Sequence, residues 1–408
     1  MLPKLRFRGF KEQWELTLLG DVTSKIGSGS TPKGGSEVYQ STGIPFIRSQ
    51  NVNDNQLKLN DLAYISHEID EKMKGSRVEP NDILLNITGA SIGRSCVVPQ
   101  DFSKGNVNQH VCIIRLARGV PKFYQTYLSS QKGQNLINSS QSGSGREGLN
   151  FENIRNFKIY ACSKAEQLKI ADFLSSVDRK INLLNKQYEL LGQYKKGIIQ
   201  KIFNQKLRFK DDSGRAFPEW KSTILDEVVD LITNGLALDQ NDSKNGYPVS
   251  RIETISERCI NMKKVGFVDT DNDISNYKLN YGDMLFSNIN SISHIGKIAY
   301  FDIDDTLYHG MNLLRIVIKN SHCKLFFYYQ LITDTNKKYF ESRANQAVSQ
   351  ASINQTELRK TPVQVPCKEE QTKIANFLSA LDNKIAVKKA ELDKLKTWKQ
   401  GLLQQMFI

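Results

Sequence analysis

The stretch Glu166-Gln-Leu-Lys-Ile-Ala-Asp-Phe-Leu-Ser-Ser-Val-Asp-Arg-Lys-Ile181 returns as Glu370-Gln-Thr-Lys-Ile-Ala-Asn-Phe-Leu-Ser-Ala-Leu-Asp-Asn-Lys-Ile385, 204 residues later, with 11 of 16 positions identical. The register holds without a gap over 38 residues, Gly197 matching Gly401 and Phe203 matching Phe407. A fixed offset of this kind marks a duplicated structural unit. The spacing predicts a helix over 164–203: Ser163 with Glu166 forms a capping-box pattern, and Ile170, Phe173, Leu174 and Val177 share one helical face. From Ile181 the pattern becomes a heptad, through Leu184, Tyr188, Leu191, Lys195, Ile198 and Ile202. The second copy reads Ile385, Lys388, Leu392, Leu395, Lys399, Leu402 and Met406. Two long helices packed on each other as a short coiled coil follow, with three lysines marring the seam.

Outside this segment the halves match more loosely. Lys4-Leu-Arg-Phe7 resembles Lys206-Leu-Arg-Phe209, and Trp14 resembles Trp220. Asn81-Asp-Ile-Leu-Leu85 with Ile92-Gly93 resembles Gly282-Asp-Met-Leu-Phe286 with Ile295-Gly296. Each half is thus a variable globular part followed by a near-constant helix, giving domains at 1–160 and 205–365 and spacer regions at 161–204 and 366–408. The fold class expected is α+β, two mixed domains related by pseudo-two-fold symmetry and separated by antiparallel helices. A 38-residue helix is roughly 57 Å long at ~1.5 Å per residue, against ~34–36 Å for a turn of DNA. It is long enough to hold two reading heads in successive grooves, although a plain packing device remains a competitor.

With 408 residues the chain exceeds one ordinary domain. Lys and Arg total 56 against 43 Asp and Glu, a net charge of +13, of which +10 falls in residues 1–204 and +3 in 205–408. That excess favours a polyanionic partner. No apolar run reaches the ~18–20 residues of a membrane span, and the N-terminus does not read as a signal peptide. The six cysteines form no Cys-x-x-Cys pair and read as small, reduced hydrophobes of a cytoplasmic protein.

Within the variable parts, Ile83–Ile87, Val107–Leu116, Gly296–Phe301 and Leu313–Ile318 read as strands, and Phe123–Ser130 and Lys324–Tyr339 as helices. Three loops recur in matching places: 47–53 with 249–254, 86–91 with 287–294, and 143–148 with 345–350. The Gly-rich run at 27–35 lacks Walker-loop order and reads equally as a phosphate cup or a mobile surface loop. Side-chain chemistry nominates Arg48, Arg94, Arg146, Arg251 and Arg343 for guanine or phosphate contacts, and Gln50, Asn51, Asn288, Asn290 and Gln346 for adenine edges. Ser49, Thr88, Ser291 and Lys297 complete the candidate DNA-binding set, against a background expectation of turn chemistry for any single Asn or Ser.

Catalytic tools do not emerge. There is no Asn-Pro-Pro-Tyr-type segment, no Gly-rich cofactor fingerprint, and no zinc spacing among His67, His110, His294, His309 and His322. Asp178-Arg-Lys180 and Asp382-Asn-Lys384 superficially resemble half of a nuclease site but read as solvated helix faces. Glu166, Gln167 and Lys169, with Glu370, Gln371 and Lys373, read either as the same or as a partner-docking face.

The duplicated Glu-Gln-x-Lys-Ile-Ala-x-Phe-Leu helix, its Gly197–Phe203 and Gly401–Phe407 tails, the Leu-Arg-Phe and Trp signals, Gly29-Ser-Thr-Pro32 before Ile44-Pro-Phe-Ile47, and Gly282-Asp-Met-Leu-Phe-Ser287 resemble the specificity subunits of Type I restriction–modification enzymes over essentially the whole chain. The resemblance implies two target recognition domains, each reading half of a split, asymmetric DNA site, and helices that form the spacer. It implies a non-catalytic subunit that binds double-stranded DNA, two methyltransferase subunits and nuclease/translocase subunits. No cofactor or metal would bind this chain, and S-adenosylmethionine, ATP and Mg²⁺ would be handled by the partners. The rival readings are a self-sufficient methyltransferase or nuclease with an unrecognised site, and a coiled-coil scaffold that binds protein only.

Overall fold

The computed structural model describes residues 2–32, 34–141, 148–292, 294–346 and 351–408, with Gly35, Ser36 and Gln346 described in their backbone alone. Two helices dominate, Lys164–Phe203 and Lys368–Met406. Among the described residues, no helix is long and apolar enough to cross a membrane.

The chain divides into two compact units, 1–185 with 390–408, and 186–389. The division falls inside the long helices rather than at their ends, so each unit takes one helix start and the other helix's tail. In the first unit, strands Thr23–Ser28, Val111–Leu116, Ile83–Asn86 and Ser95–Val97 form a four-stranded antiparallel sheet in that spatial order. In the second, Val229–Asn234, Leu313–Ile318, Met284–Ser287 and Ile298–Tyr300 repeat the order and the pairing. A two-stranded ribbon leads into each long helix: Glu15–Leu18 with Lys158–Ala161, and Lys221–Ile224 with Pro362–Val365.

These strands read as apolar runs because the sheet is covered on both faces. Successive side chains alternate between faces: Ile83 and Leu85 join the core under the long helix, while Leu84 joins a second cluster with Ile47, Val52 and Ile113. The larger core of the first unit combines Trp14, Ile114, Phe123, Ile170 and Leu174 with Leu402, Leu403, Met406 and Phe407 from the far end of the chain. Its counterpart in the second unit combines Trp220, Phe286, Phe326, Ile374 and Leu378 with Ile199 and Ile202.

Every heptad position expected on the seam is buried or half-buried. Two of the three intruding lysines are neutralised: Lys195 pairs with Asp382 within the second unit, and Lys399 pairs with Asp178 at 2.5 Å within the first. Asp178 also takes Lys122 at 3.3 Å, and Asp382 accepts from the Tyr329 hydroxyl at 2.7 Å. These two aspartates are therefore partnered, which corrects their reading as solvated charges. All six cysteines are free, and burial pushes the Cys96 and Cys112 thiols up to about 12.

Two strand and helix expectations break at specific residues. The run 324–339 is two helices, Lys324–Leu331 and Asp334–Arg343, because the Thr333 hydroxyl accepts from the Asn336 amide and caps a new start. The run 107–116 is interrupted at 108–110, where Asn108 Oδ1 accepts the His110 amide and turns the chain.

Candidate nucleic-acid interface

Six of the sequence-nominated residues sit at the starts of the long helices. Glu166 is 1% exposed and takes the Arg6 guanidinium through Nε and Nη2, both at 2.7 Å. Glu370 is fully buried and takes Arg208 at 2.8 and 2.9 Å, and the Trp220 indole at 2.9 Å. Bonding to these carboxylates raises both guanidinium pKa values further. The neighbouring Gln167 accepts the Val120 amide and donates to the Cys162 carbonyl; Gln371 does the same with Cys323 and Pro366. Glu166, Gln167, Glu370 and Gln371 are thus buried and bonded inside their units and offer no docking surface there. They are locks, and the repeated Leu-Arg-Phe motifs supply their arginines. Lys169 is exposed over the Phe7 ring at 5.5 Å, and Lys373 pairs with Asp212 at 2.6 Å.

The recurring loops converge within each unit. In the first, Asn86 reaches from the end of its strand to the Ser49 carbonyl at 2.9 Å, tying loop 47–53 to loop 86–91. Thr88 forms a bridge with Gly148, and the Leu149 amide donates to the Ile87 carbonyl, bringing in the end of the third loop. In the second, Ile289–Asn290 and Asn345–Gln346 flank Ala351–Ser352 as a three-stranded sheet. Loop 249–254 meets loop 287–294 across a cleft of about 200 Å³ lined by Ile252, Glu253, Ser256, Asn290, His294 and Lys297 among others. A further cleft of about 480 Å³ lies beside Phe203 and residues 333–341 and includes none of the nominated side chains.

Several nominees hold the loops rather than face outward. Asn51 is 2% exposed; its carbonyl oxygen accepts the Arg48 amide and its amino group donates to the Lys58 carbonyl. Thr254 makes the equivalent bond to the Arg251 amide at 2.8 Å. The expectation that Asn51 reads an adenine edge is corrected by this side-chain turn, whose bonds use the very atoms a base would need. Arg251 is likewise committed, to Gln240 at 2.8 Å, Asp242 at 2.6 Å and the Asn241 carbonyl at 3.1 Å. Lys297 donates to the Ser256 carbonyl at 2.9 Å.

The remaining nominees lie at or near the loop surfaces. Gln50 is exposed beside Asp61, Arg94 is exposed, and Arg343 is exposed over the Tyr339 ring. Arg48 and Ser49 are half-buried, Arg48 standing 6.0 Å over the Tyr39 ring. Asn290 donates to the Ser287 hydroxyl, Ser291 is exposed beside His294, and the Asn288 side-chain oxygen is buried. Gln346 lies on its short strand, and Arg146 lies outside the described residues.

Sequence reasoning missed the turn at 108–110. His110 bonds the Thr88 hydroxyl through Nδ1 at 2.5 Å and Gln109 through Nε2 at 3.1 Å, and Gln109 accepts from Thr31 of the Gly-rich run. The start of that run is not a loose loop. A side chain at Gly29 would lie 1.6 Å from the Val107 carbonyl oxygen, and the Gly29 amide donates to Asn108. The signal in the sequence was a polar Asn-Gln-His interruption inside an otherwise apolar strand run.

The family model described as "Type I restriction modification DNA specificity domain" matches residues 11–193 and 218–397. A type I restriction enzyme MjaX specificity subunit of Methanocaldococcus jannaschii is 37% identical over 214 residues, 52% of this chain and half the length of that relative. The type I restriction enzyme MjaVIII specificity subunit of the same organism is 24% identical over 96% of this chain and 91% of its own. The fold is similar to that of the Type I restriction–modification S subunit from M. genitalium, with a TM-score of 0.63, 16% identity, and coverage of 100% of this chain and 99% of that one.

Proposed function

This chain belongs to the Type I restriction modification DNA specificity family, and on that premise we propose that it is the DNA-recognition subunit of a Type I restriction–modification complex. Each unit reads one half of a bipartite, asymmetric site. The observation that carries this reading is one sheet-and-loop frame occurring twice with unlike side chains on its loops, for example the Thr88–His110 contact in one unit and the Asn290, His294 and Lys297 cleft in the other. A shared strand order carries the loops in both units, and unlike side chains select unlike bases.

The long helices act as the spacer, paired antiparallel as a short coiled coil about a pseudo-two-fold axis. Within the second unit, Lys195 meets Asp382 while Tyr188 meets Lys389, so one index rises as the other falls. The repeat-related pair Asp178–Lys399 fits the same register. In this reading the chain is not itself an enzyme. Two methyltransferase subunits and the nuclease/translocase subunits supply the chemistry and handle S-adenosylmethionine, ATP and Mg²⁺, in the cytoplasm. Half-buried ion pairs on the helix seam favour one register over its alternatives.

DNA binding by the chain assembled with its methyltransferase partners tests the reading. Affinity falls steeply as salt rises, since Lys and Arg displace counterions from phosphates. Salt-insensitive association, or none, refutes it in favour of a protein-only scaffold, and methyl transfer or cleavage by the purified chain alone refutes it in favour of an enzyme. Deleting four residues near Gly192–Lys195 changes the gap between half-sites and leaves the half-sites unaltered; an unchanged gap removes the spacer role.

A further inference from the structure

We propose that Gln109 is a specificity-determining residue that reads an adenine in the half-site bound by the first unit, with Thr31 and His110 as its positioning residues. This rests on the DNA-recognition reading and names one of its contacts.

The turn at 108–110 enters Val111–Leu116, an interior strand of the four-stranded sheet paired on both sides. A strand bonded along both edges is a rigid base, and rigid elements hold reading groups more exactingly than loops do. Three loops grip the turn: the Asn108 amide donates to the Ile47 carbonyl, the Ile87 amide donates to the His110 carbonyl, and Gly29 lies against Val107. At this junction Gln109 is exposed, as is Thr31, while His110 and Thr88 are half-buried.

The hydrogen bonds set the amide's direction. An amide nitrogen only donates, so the His110 Nε2 accepts from Gln109 and the Nδ1 proton goes to the Thr88 hydroxyl. The Thr31 hydroxyl donates to the Gln109 oxygen. After these bonds the amide still has one N–H and one carbonyl lone pair to offer, on an exposed side chain. That pairing of a donor with an adjacent acceptor is what the N7 and N6 amino group of adenine require in the major groove. Thymine, cytosine and guanine do not present it there.

The second unit carries different chemistry at the same place. Counting back equally from the sheet-paired residues Ile114 and Ile316 sets Met311 opposite Gln109, and Met311 is 41% exposed. A side chain without a donor at the matched position makes the proposed readout a property of one half-site alone.

The experiment is the modification motif of the complex in cells, by long-read detection of N6-methyladenine, for the wild type and for Gln109→Ala, Thr31→Val and His110→Ala. Gln109→Ala relaxes a single adenine-containing position by about ten- to hundredfold, in one half-site, with the other half-site unchanged. The two positioning variants blur the same position. Thermal stability of Gln109→Ala stays at the wild-type value, because the side chain is exposed. A wild-type bipartite motif with an unaltered Gln109→Ala motif overturns the assignment while leaving the recognition reading intact. A uniform loss across all sites makes Gln109 a phosphate contact and also overturns it. Absence of any bipartite wild-type motif overturns both.

Discussion

Replacing Phe407 by Ala tests whether the end of the second long helix belongs to the fold of the first 185 residues. Phe407 is 1% exposed, and its ring lies 5.4 Å from Phe123, 5.8 Å from Tyr127 and 6.3 Å from Trp14. A buried Phe→Ala change costs about 3–5 kcal/mol, from lost transfer energy and the cavity left behind. Three edge-on or tilted ring contacts put this site toward the upper end. At about 2–4 °C per kcal/mol for a unit of this size, melting drops by roughly 6–20 °C. Hydrogen exchange localises the effect: amides of the helix Pro121–Ser129, which carries Phe123 and Tyr127, lose about two to four orders of magnitude of protection. Strand Met284–Ser287 keeps its own. Phe407→Leu retains most of the volume and costs about 1.5 kcal/mol or less. Loss below tenfold in the 121–129 helix, or loss centred on the second unit, refutes the argument that sequence-distant residues complete this core.

Asp178→Leu strands Lys122 and Lys399 without their carboxylate and destabilises by about 1–3 kcal/mol, the groups being partly hydrated. The double change Asp178→Leu with Lys399→Leu recovers part of that in urea unfolding, Lys122 still lacking its carboxylate; strict additivity contradicts the pairing. Burial pushes the His309 imidazole down to about 4, with its Nε2 bonded to the Leu313 carbonyl. Between that pH and the ordinary value near 6.5 the unfolded chain holds a proton the folded one lacks. Stability therefore rises with pH across this window, by up to about 3 kcal/mol. His309→Gln flattens that part of the pH–stability curve relative to wild type, and an unchanged slope refutes the assignment.

The long helices were legible because their signals are local: a 3.6-residue period, a heptad and a repeat. Leu313–Ile318 was legible to the residue because its apolar run has turn residues on both sides. What failed to show was non-local. Glu166 looked like a helix-start carboxylate, and its partner Arg6 lies 160 residues away. Asn51 has the chemistry of a base reader, and only the fold reveals that a side-chain turn consumes it. Lys195 and Lys399 on the seam looked like defects until Asp382 and Asp178 came opposite them. The turn at 108–110 was hidden inside an apolar run, since three polar residues in a strand pattern carry no hint of the Gly29 segment pressed against them.

The most direct test of the central claim is the set of DNA sequences modified in cells that express the chain with its partner subunits. Two unlike readers on one duplicated frame predict a motif of two short specified segments separated by a fixed unspecified gap, the segments not being inverted copies of each other. A continuous motif, or a single palindrome, contradicts it.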